Sequence, residues 1–184
     1  MGGVIVDVKR LSLILAVVLL AALGAAFALY YLFLSSEPYF EGAYFHYTVV
    51  SSTLIPPEGS SYSFKVEDVW DNSMRVTLEV VVGSTTASSN YLAEKSWKGL
   101  LSKIFEGKKI SYEYHGKERI TVKNTLIECE KYVSEDTAYL GIEHTVTVYV
   151  YKKVPVLITE TYDYGLIEAS ATIVLTGTNS IKIP

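Results

Sequence analysis

Hydrophobic residues near the start of the chain form one unbroken run. Residues 11–34 are almost all Leu, Ala, Val, Ile, Phe and Tyr, and no charged residue occurs from Leu11 to Ser36. As a helix, a run of this length would extend over about 36 Å, which is enough to cross the roughly 30 Å hydrocarbon core of a bilayer. The pattern predicts a transmembrane helix at residues 11–34, preceded by a short segment, residues 1–10.

The charges on either side of this run predict its orientation. Lys9 and Arg10 lie directly before it, whereas Glu37 follows it and the next basic residue is Lys65. Basic flanking residues stay in the cytoplasm. We therefore expect a single-pass protein of the cell membrane, with a cytoplasmic N-terminus and an extracellular C-terminal domain at residues 35–184.

A cleaved secretory signal is the alternative to a permanent anchor. Ala26-Phe27-Ala28 has the small-x-small form of a cleavage site. The apolar run continues beyond that site to Leu34, however, and a signal sequence has a hydrophobic region of only about 7–15 residues. The length of the run favours the uncleaved anchor.

Alternation of apolar and polar residues replaces the continuous run after residue 42. Such alternation is typical of strands that bury one face. It predicts about eight strands, at residues 43–50, 62–70, 74–82, 110–114 with 119–122, 125–133, 145–151, 156–160 and 166–175. Short turns such as Asp71-Asn72-Ser73 join consecutive strands, which favours an antiparallel sheet.

One segment of the outer domain has helical spacing instead. Between Tyr91 and Glu106 the apolar residues recur every three or four positions, Ser88 to Asn90 suit a helix start, and Gly107 suits its end. We expect one amphipathic helix at about 91–106 that covers the sheet. The predicted fold is thus an N-terminal transmembrane helix plus a mainly β domain of the α+β class.

The second half of the outer domain resembles a known family. The stretch from Ile120 to Tyr132, with Cys129 within it, is followed by Thr145 to Val150, by Lys153-Val-Pro155-Val-Leu-Ile-Thr-Glu160 and by a strand ending in Val174-Leu175. Over residues 110–176 this is similar to archaeal membrane-anchored surface proteins whose outer domain resembles the LolA-like lipoprotein carriers. The resemblance implies a curved antiparallel sheet, a half-barrel, around helical cover. It implies no catalytic residues.

The predicted outer domain is acidic. Because Asp7, Lys9 and Arg10 precede the apolar run, residues 35–184 carry 14 basic and 19 acidic side chains, a net charge of −5. Nucleic acids and anionic lipid headgroups attract basic surfaces. Neither is therefore expected to bind this domain.

The single cysteine, Cys129, excludes an intrachain disulfide. Glu128 and Glu130 flank it, and their negative charges oppose formation of a reactive thiolate. Alternation places Cys129 with Ile127 on an apolar strand face. We expect a buried, unreactive thiol.

Motifs typical of catalysis are missing from the sequence. There is neither a Gly-x-Ser-x-Gly element nor a P-loop. His46, His115 and His144 are far apart in the sequence, so we interpret them as scattered residues; convergence of their strands into a metal site is the alternative. We expect no enzyme, no cofactor and no metal site.

Three functions remain open. The first is a tethered, non-catalytic binding module for a hydrophobic ligand or protein partner. Its possible ligand-lining residues are aromatic: Tyr47, Tyr62, Phe64, Trp70, Trp97 and Phe105. The alternative for these aromatics is a plain core between sheet and helix.

The other two functions concern assembly. A structural, pilin-like subunit is one, although Leu11 stands where pilin processing needs a small residue. An accessory subunit bound to a membrane-protein partner is the other, because the alanine and glycine residues at 21–28 suit close packing of membrane helices.

Overall fold

The computed structural model describes Leu23 and residues 37–54, 56–108, 110–137 and 142–183. Apart from Leu23, the predicted transmembrane helix at 11–34 and the segment 1–10 lie outside the described residues. Among the residues that are described, no helix is both long and apolar enough to cross a membrane. The chain divides into two units after Glu37, and all the elements below belong to the second.

Nine antiparallel strands in one sheet make the domain mainly β, and one short helix accompanies them in the described part of the chain. The strands are β1 Tyr44–Ser52, β2 Ser61–Val69, β3 Ser73–Val82, β4 Thr85–Glu94, β5 Glu113–Val122, β6 Thr125–Thr137, β7 Glu143–Tyr151, β8 Val154–Asp163 and β9 Glu168–Thr178. The helix, α1, is Trp97–Leu101.

The sheet consists of two meanders that meet in its middle. Its strand order is β4-β3-β2-β1-β9-β8-β7-β6-β5. The first four strands run outward from the centre to one edge, and the last five return from the opposite edge until β9 pairs with β1. The chain between β4 and β5 therefore connects the two edges of the sheet.

Alternation along each strand produces the core. Every second residue of β1 from Phe45 to Val49 is buried, and β7 repeats the pattern with Val146, Val148 and Val150. Each buried side chain of this kind stabilises the fold by about 1.5–3 kcal/mol relative to an exposed one.

The predicted helix at 91–106 is wrong in most of its length. Residues 91–94 continue β4, which pairs with β3 along its whole length, so Ser88 to Asn90, predicted as a helix start, lie inside a strand. The helix begins only after Ser96, whose side chain accepts a hydrogen bond from the Gly99 amide at 3.1 Å. The apolar residues at the end of β4 are followed within a few positions by the buried residues of α1, and together the two sets have the spacing of one long helix.

The predicted break between residues 110–114 and 119–122 is also wrong. His115 and Gly116, which lie in that gap, form a bulge inside β5, where the register shifts between Tyr114 and Lys117 and Gly116 has a φ of +93°. The chain reverses instead at Lys123-Asn124, both with positive φ, as a two-residue hairpin turn of the right twist requires. A bulge and a turn share glycine as a signal, which explains the error.

The sheet must be strongly curved. Seven inter-strand spacings separate β4 from β6, which is about 34 Å in a flat sheet. Trp97 nevertheless follows the end of β4 by three residues, a reach of at most about 10 Å, and its ring centroid lies 5.0 Å from that of Tyr132 in β6. Only a sheet that bends around the connecting chain satisfies both distances.

Candidate functional site

The chain between β4 and β5, residues 95–112, is here called the crossing segment; Lys109 within it lies outside the described residues. Trp97, Leu100, Leu101 and Phe105 of this segment are buried in the same core as the strands. Its α1 turn is fastened to β4 by the Tyr91 hydroxyl, which donates to the Leu100 carbonyl at 2.5 Å. The crossing segment thus covers the buried face of the curved sheet.

A cluster of polar side chains lies under the far end of this segment. Glu160 of β8 and His144 of β7 are buried, although both can carry charge. His144 is directly opposite Tyr162 in the β7–β8 register, and their rings stack with centroids 4.3 Å apart. Because Glu160 and Tyr162 are two residues apart on one strand, their side chains share a face.

Three donors converge on one carboxylate oxygen in this cluster. Oε1 of Glu160 accepts from His144 Nε2 at 2.9 Å and from the Tyr162 hydroxyl at 3.1 Å. It also accepts from the Lys108 ammonium, the one donor that comes from the crossing segment. We refer to Lys108, His144, Glu160 and Tyr162 as the latch cluster, because they join the crossing segment to the sheet.

The latch cluster holds its charges in place. Burial by itself would raise the pKa of Glu160, but the hydrogen bonds from Lys108, His144 and Tyr162 hold that pKa below its ordinary value. Burial would lower the pKa of Lys108, yet its bonds with Glu160 and Tyr162 raise it. Both groups are therefore ionised at neutral pH, and Glu160 is a weak base.

A groove opens along the crossing segment beside this cluster. Its volume is about 370 Å³, near the lower end of the range for small-molecule sites. The apolar part of its wall consists of Leu101, Phe105, Ile110 and Tyr112, and the polar part of Lys98, Ser102, Lys108 and Ser111. The groove can accommodate an apolar group with a polar or negatively charged end.

Aromatic rings support one end of the groove. The ring centroid of Trp97 lies 4.8 Å from that of Tyr112 and 5.0 Å from that of Tyr132. The ring centroids of Tyr114 and Tyr132 are 5.5 Å apart. Among the residues that the structure describes, the buried hydroxyl of Tyr112 has no hydrogen-bond partner. A buried hydroxyl without a partner is costly, so a bound molecule or a water that reaches it would be favoured.

His144 also borders an acidic recess of about 410 Å³. Glu135, Asp136, Glu143 and Thr145 line it together with His144. Within the described ranges, no group of three or more His, Cys, Asp or Glu side chains is arranged to hold a metal ion.

Most of the aromatic residues predicted to line a ligand site lie inside the core. Tyr47, Tyr62, Phe64 and Trp97 are all buried there, with Tyr47 fully enclosed and its hydroxyl donating to the Pro155 carbonyl at 3.0 Å. Phe105 is buried too, but it also lines the groove.

Trp70 is the exception among the six. It is 46% exposed, and the Arg75 guanidinium lies 5.8 Å from its ring centroid. Asp68 of β2 forms an ion pair with the same Arg75 at 3.0 Å. Both side chains therefore belong to the β2–β3 hairpin and not to the groove.

The histidines and the cysteine lie in separate places. His46 hydrogen-bonds Ser63 at 2.8 Å, His115 is in the β5 bulge and His144 is in the latch cluster. The predicted burial of Cys129 is confirmed, because its side chain is 1% exposed and burial raises its pKa to about 11.

Sequence reasoning missed the latch cluster. One signal was present: alternation along β8 places the carboxylate of Glu160 on the same buried face as Val156 and Ile158. Nothing in the sequence indicated that Lys108, 52 residues earlier, would be its partner.

Comparison of the chain with protein-family models, with curated proteins and with solved structures finds no match.

Proposed function

We propose that this chain is a non-catalytic, single-pass membrane protein that presents its β domain outside the cell and binds a hydrophobic ligand in the groove of the crossing segment. The observation that carries the proposal is the groove itself. It combines an apolar wall with the Lys98 ammonium group, which suits a ligand that has an acyl-like body and an anionic end.

Three further points support this function. The apolar run at residues 11–34 supplies an anchor of sufficient length. The curved sheet with a covering segment agrees with the proposed similarity to LolA-like carriers. The hydrogen bonds and lowered pKa of Glu160 suit a structural fastening better than a general base, which needs a pKa near the working pH.

Photolabelling of the full chain tests the proposal. A fatty acid with a diazirine in its chain is added to proteoliposomes of the protein, and the labelled peptides are identified by mass spectrometry. We expect labels concentrated in residues 98–112. Ser102→Trp fills the groove from an exposed position and is expected to reduce this labelling about tenfold or more, as loss of a buried apolar contact of 1.4 kcal/mol or more implies.

The matched control is Ser84→Trp, which places the same side chain on an exposed turn away from the groove. It is expected to leave the labelling unchanged. Labels spread evenly over the domain, or equal labelling of the two tryptophan variants, would exclude the groove as the binding site.

A further inference from the structure

The two edges of the sheet differ in how they are protected. Strand β4, at one edge, pairs with β3 over ten consecutive residues with no register shift. Seven of its ten side chains are exposed, and from Thr85 to Ala93 it carries no charge. Long, regular and uncharged edges are the kind that natural proteins usually avoid, because they bind further strands.

Strand β5, at the other edge, has the protection that β4 lacks. A bulge between Tyr114 and Lys117 interrupts its ladder. Its charged residues alternate in sign along the strand: Glu113, Lys117, Glu118 and Arg119. Bulges and charges both hinder pairing with another strand, so only one edge of this sheet is open to it.

The turn before β4 determines which of its backbone N–H and C=O groups are left to bond with another strand. Gly83, with a φ of +59°, and Ser84 form a two-residue hairpin turn, in which the flanking pair Val82–Thr85 is the hydrogen-bonded one. Alternate residues of β4 from Thr85 therefore bond to β3. The N–H and C=O groups that point away from the sheet belong to Thr86, Ser88, Asn90 and Leu92.

We propose that this edge binds the same edge of a second copy of the chain, so that β4 and its two-fold mate form an antiparallel pair. In the strand order no described strand occupies the outer side of β4. The proposal concerns a surface separate from the groove and does not depend on the ligand proposed above.

Charge favours a second copy as the occupant. In a two-fold antiparallel pair one residue lies opposite itself, and the others pair symmetrically about it. If that residue is Asn90, Glu94 faces the uncharged Thr86; if it is Ser88 or Ser89, Glu94 extends past Thr85, the first residue of β4, and faces no residue of the mate's β4. The acidic domain can thus approach its copy along this edge without placing like charges opposite each other.

Symmetry also limits the assembly to two chains. A β4–β4 pair uses the same edge of both copies, and each copy then presents only its protected β5 edge. The contact closes on itself, whereas β4–β5 pairing would propagate into a filament. An open β4 edge combined with a protected β5 edge therefore favours a closed dimer over a filament.

Cysteine cross-linking of the full chain in detergent tests the inference. On a Cys129→Ala background, each of residues 86–90 is replaced by cysteine in turn and the protein is oxidised. A residue opposite its own copy has its Cα about 4.5–5.5 Å from its mate, within disulfide range. We expect a disulfide-linked dimer with maximal yield at one position and lower yield at its neighbours. The matched controls, Lys117→Cys and Thr121→Cys on β5, are expected to form no disulfide-linked dimer.

A charge variant separates edge pairing from any other dimer contact. Ser88→Lys places two ammonium groups close together across the two-fold axis, and sedimentation equilibrium is expected to show a dimer dissociation constant at least tenfold higher than that of the wild type. Thr121→Lys adds the same charge to β5 and is expected to change nothing. A monomeric wild type, a uniform cross-linking yield from 86 to 90, or a dimer that Ser88→Lys leaves intact would each overturn the inference.

Discussion

At Glu160, burial and hydrogen bonding act on one carboxylate in opposite directions. Burial raises the pKa, while the bonds from Lys108, His144 and Tyr162 lower it by a larger amount. Because Lys108 comes from the crossing segment, the full set of donors exists only while that segment is in place. The carboxylate therefore links the charge state of one residue to the position of the segment.

We expect Glu160→Gln to lower the free energy of unfolding by about 1–3 kcal/mol, because it leaves the Lys108 ammonium without its counter-charge. The pH dependence has a definite sign. Since the pKa of Glu160 is lowered, its stabilisation is present above the ordinary value of 4.5 and is lost as the pH falls through the lowered pKa. Thermal unfolding of the full chain between pH 3 and 7 measures both effects, and the variant should show a shallower loss on acidification.

Glu67→Gln is the matched control for this experiment. Glu67 also accepts hydrogen bonds from a lysine and a hydroxyl, Lys65 and Thr77, both at 3.0 Å, but it lies at the surface. Exposed ion pairs contribute little, so its removal should change stability much less. Equal effects of the two variants would show that burial gives the latch cluster no special importance.

Prediction from sequence succeeds or fails residue by residue for one physical reason. Alternation identifies which face of a strand a side chain occupies, and Cys129 and Tyr47 are buried as that rule requires. Alternation does not identify what covers the face. It therefore left open whether Phe64 lines a ligand site or packs in the core, and it could not indicate that Lys108 reaches Glu160.

At the scale of elements, the crossing segment depends on a close approach at the start of α1. The helix has only five residues, too few to be stable without tertiary contacts. Gly99 lies so close to the end of β4 that a Cβ there would be 2.1 Å from the Glu94 carbonyl oxygen. Glycine at this position therefore allows the chain to turn directly from β4 into the helix.

Gly99→Ala is expected to destabilise the protein by about 1–3 kcal/mol, since backbone of β4 or α1 must move to admit the methyl group. Chemical denaturation of the full chain measures the change. Gly177→Ala is the matched control: its Cβ would meet ordinary contacts, with His46 Cβ at 3.5 Å and the Tyr44 ring at 3.7 Å. If both variants unfold at the same denaturant concentration, the close approach at Gly99 does not constrain the turn.

Elements were predictable where burial on one face determined them, and less so elsewhere. β1, β2, β3 and β7 alternate strongly, and each was predicted within a few residues. β4 was not, because most of its side chains are small, polar and exposed, so tertiary pairing with β3 decides its conformation. Local propensity similarly could not limit α1 to five residues.

For the whole molecule, the short turns in the sequence predicted an antiparallel sheet, but they did not predict that β1 pairs with β9 and joins the two meanders. Pairing of β1 with β9 joins residues more than a hundred positions apart, and no local pattern encodes that distance. Once the pairing is known, the two meanders and the connection between opposite edges require the sheet to bend. The proposed membrane anchor is a separate question, which a whole-molecule measurement can address.

Thiol labelling in intact cells tests the proposed topology. On a Cys129→Ala background we expect Ser84→Cys, in an exposed turn of the β domain, to react with a membrane-impermeant maleimide. Gly3→Cys should react only after the membrane is permeabilised, because the basic residues Lys9 and Arg10 predict an N-terminus on the cytoplasmic side. Wild-type Cys129 is the internal control: it is buried and its pKa is about 11, so little reactive thiolate exists at neutral pH and it should stay unlabelled until the domain unfolds.

The three outcomes of this experiment separate the anchored protein from its rivals. Cleavage after Ala28 would remove Gly3→Cys from the mature chain, so that position would yield no label even after permeabilisation and the β domain would be released from the membrane. Labelling of Gly3→Cys in intact cells, with protection of Ser84→Cys, would reverse the orientation that the flanking charges predict. Only the expected pattern, together with extraction by detergent and not by alkaline carbonate, leaves a permanent anchor whose β domain, with its groove and its open β4 edge, faces the outside of the cell.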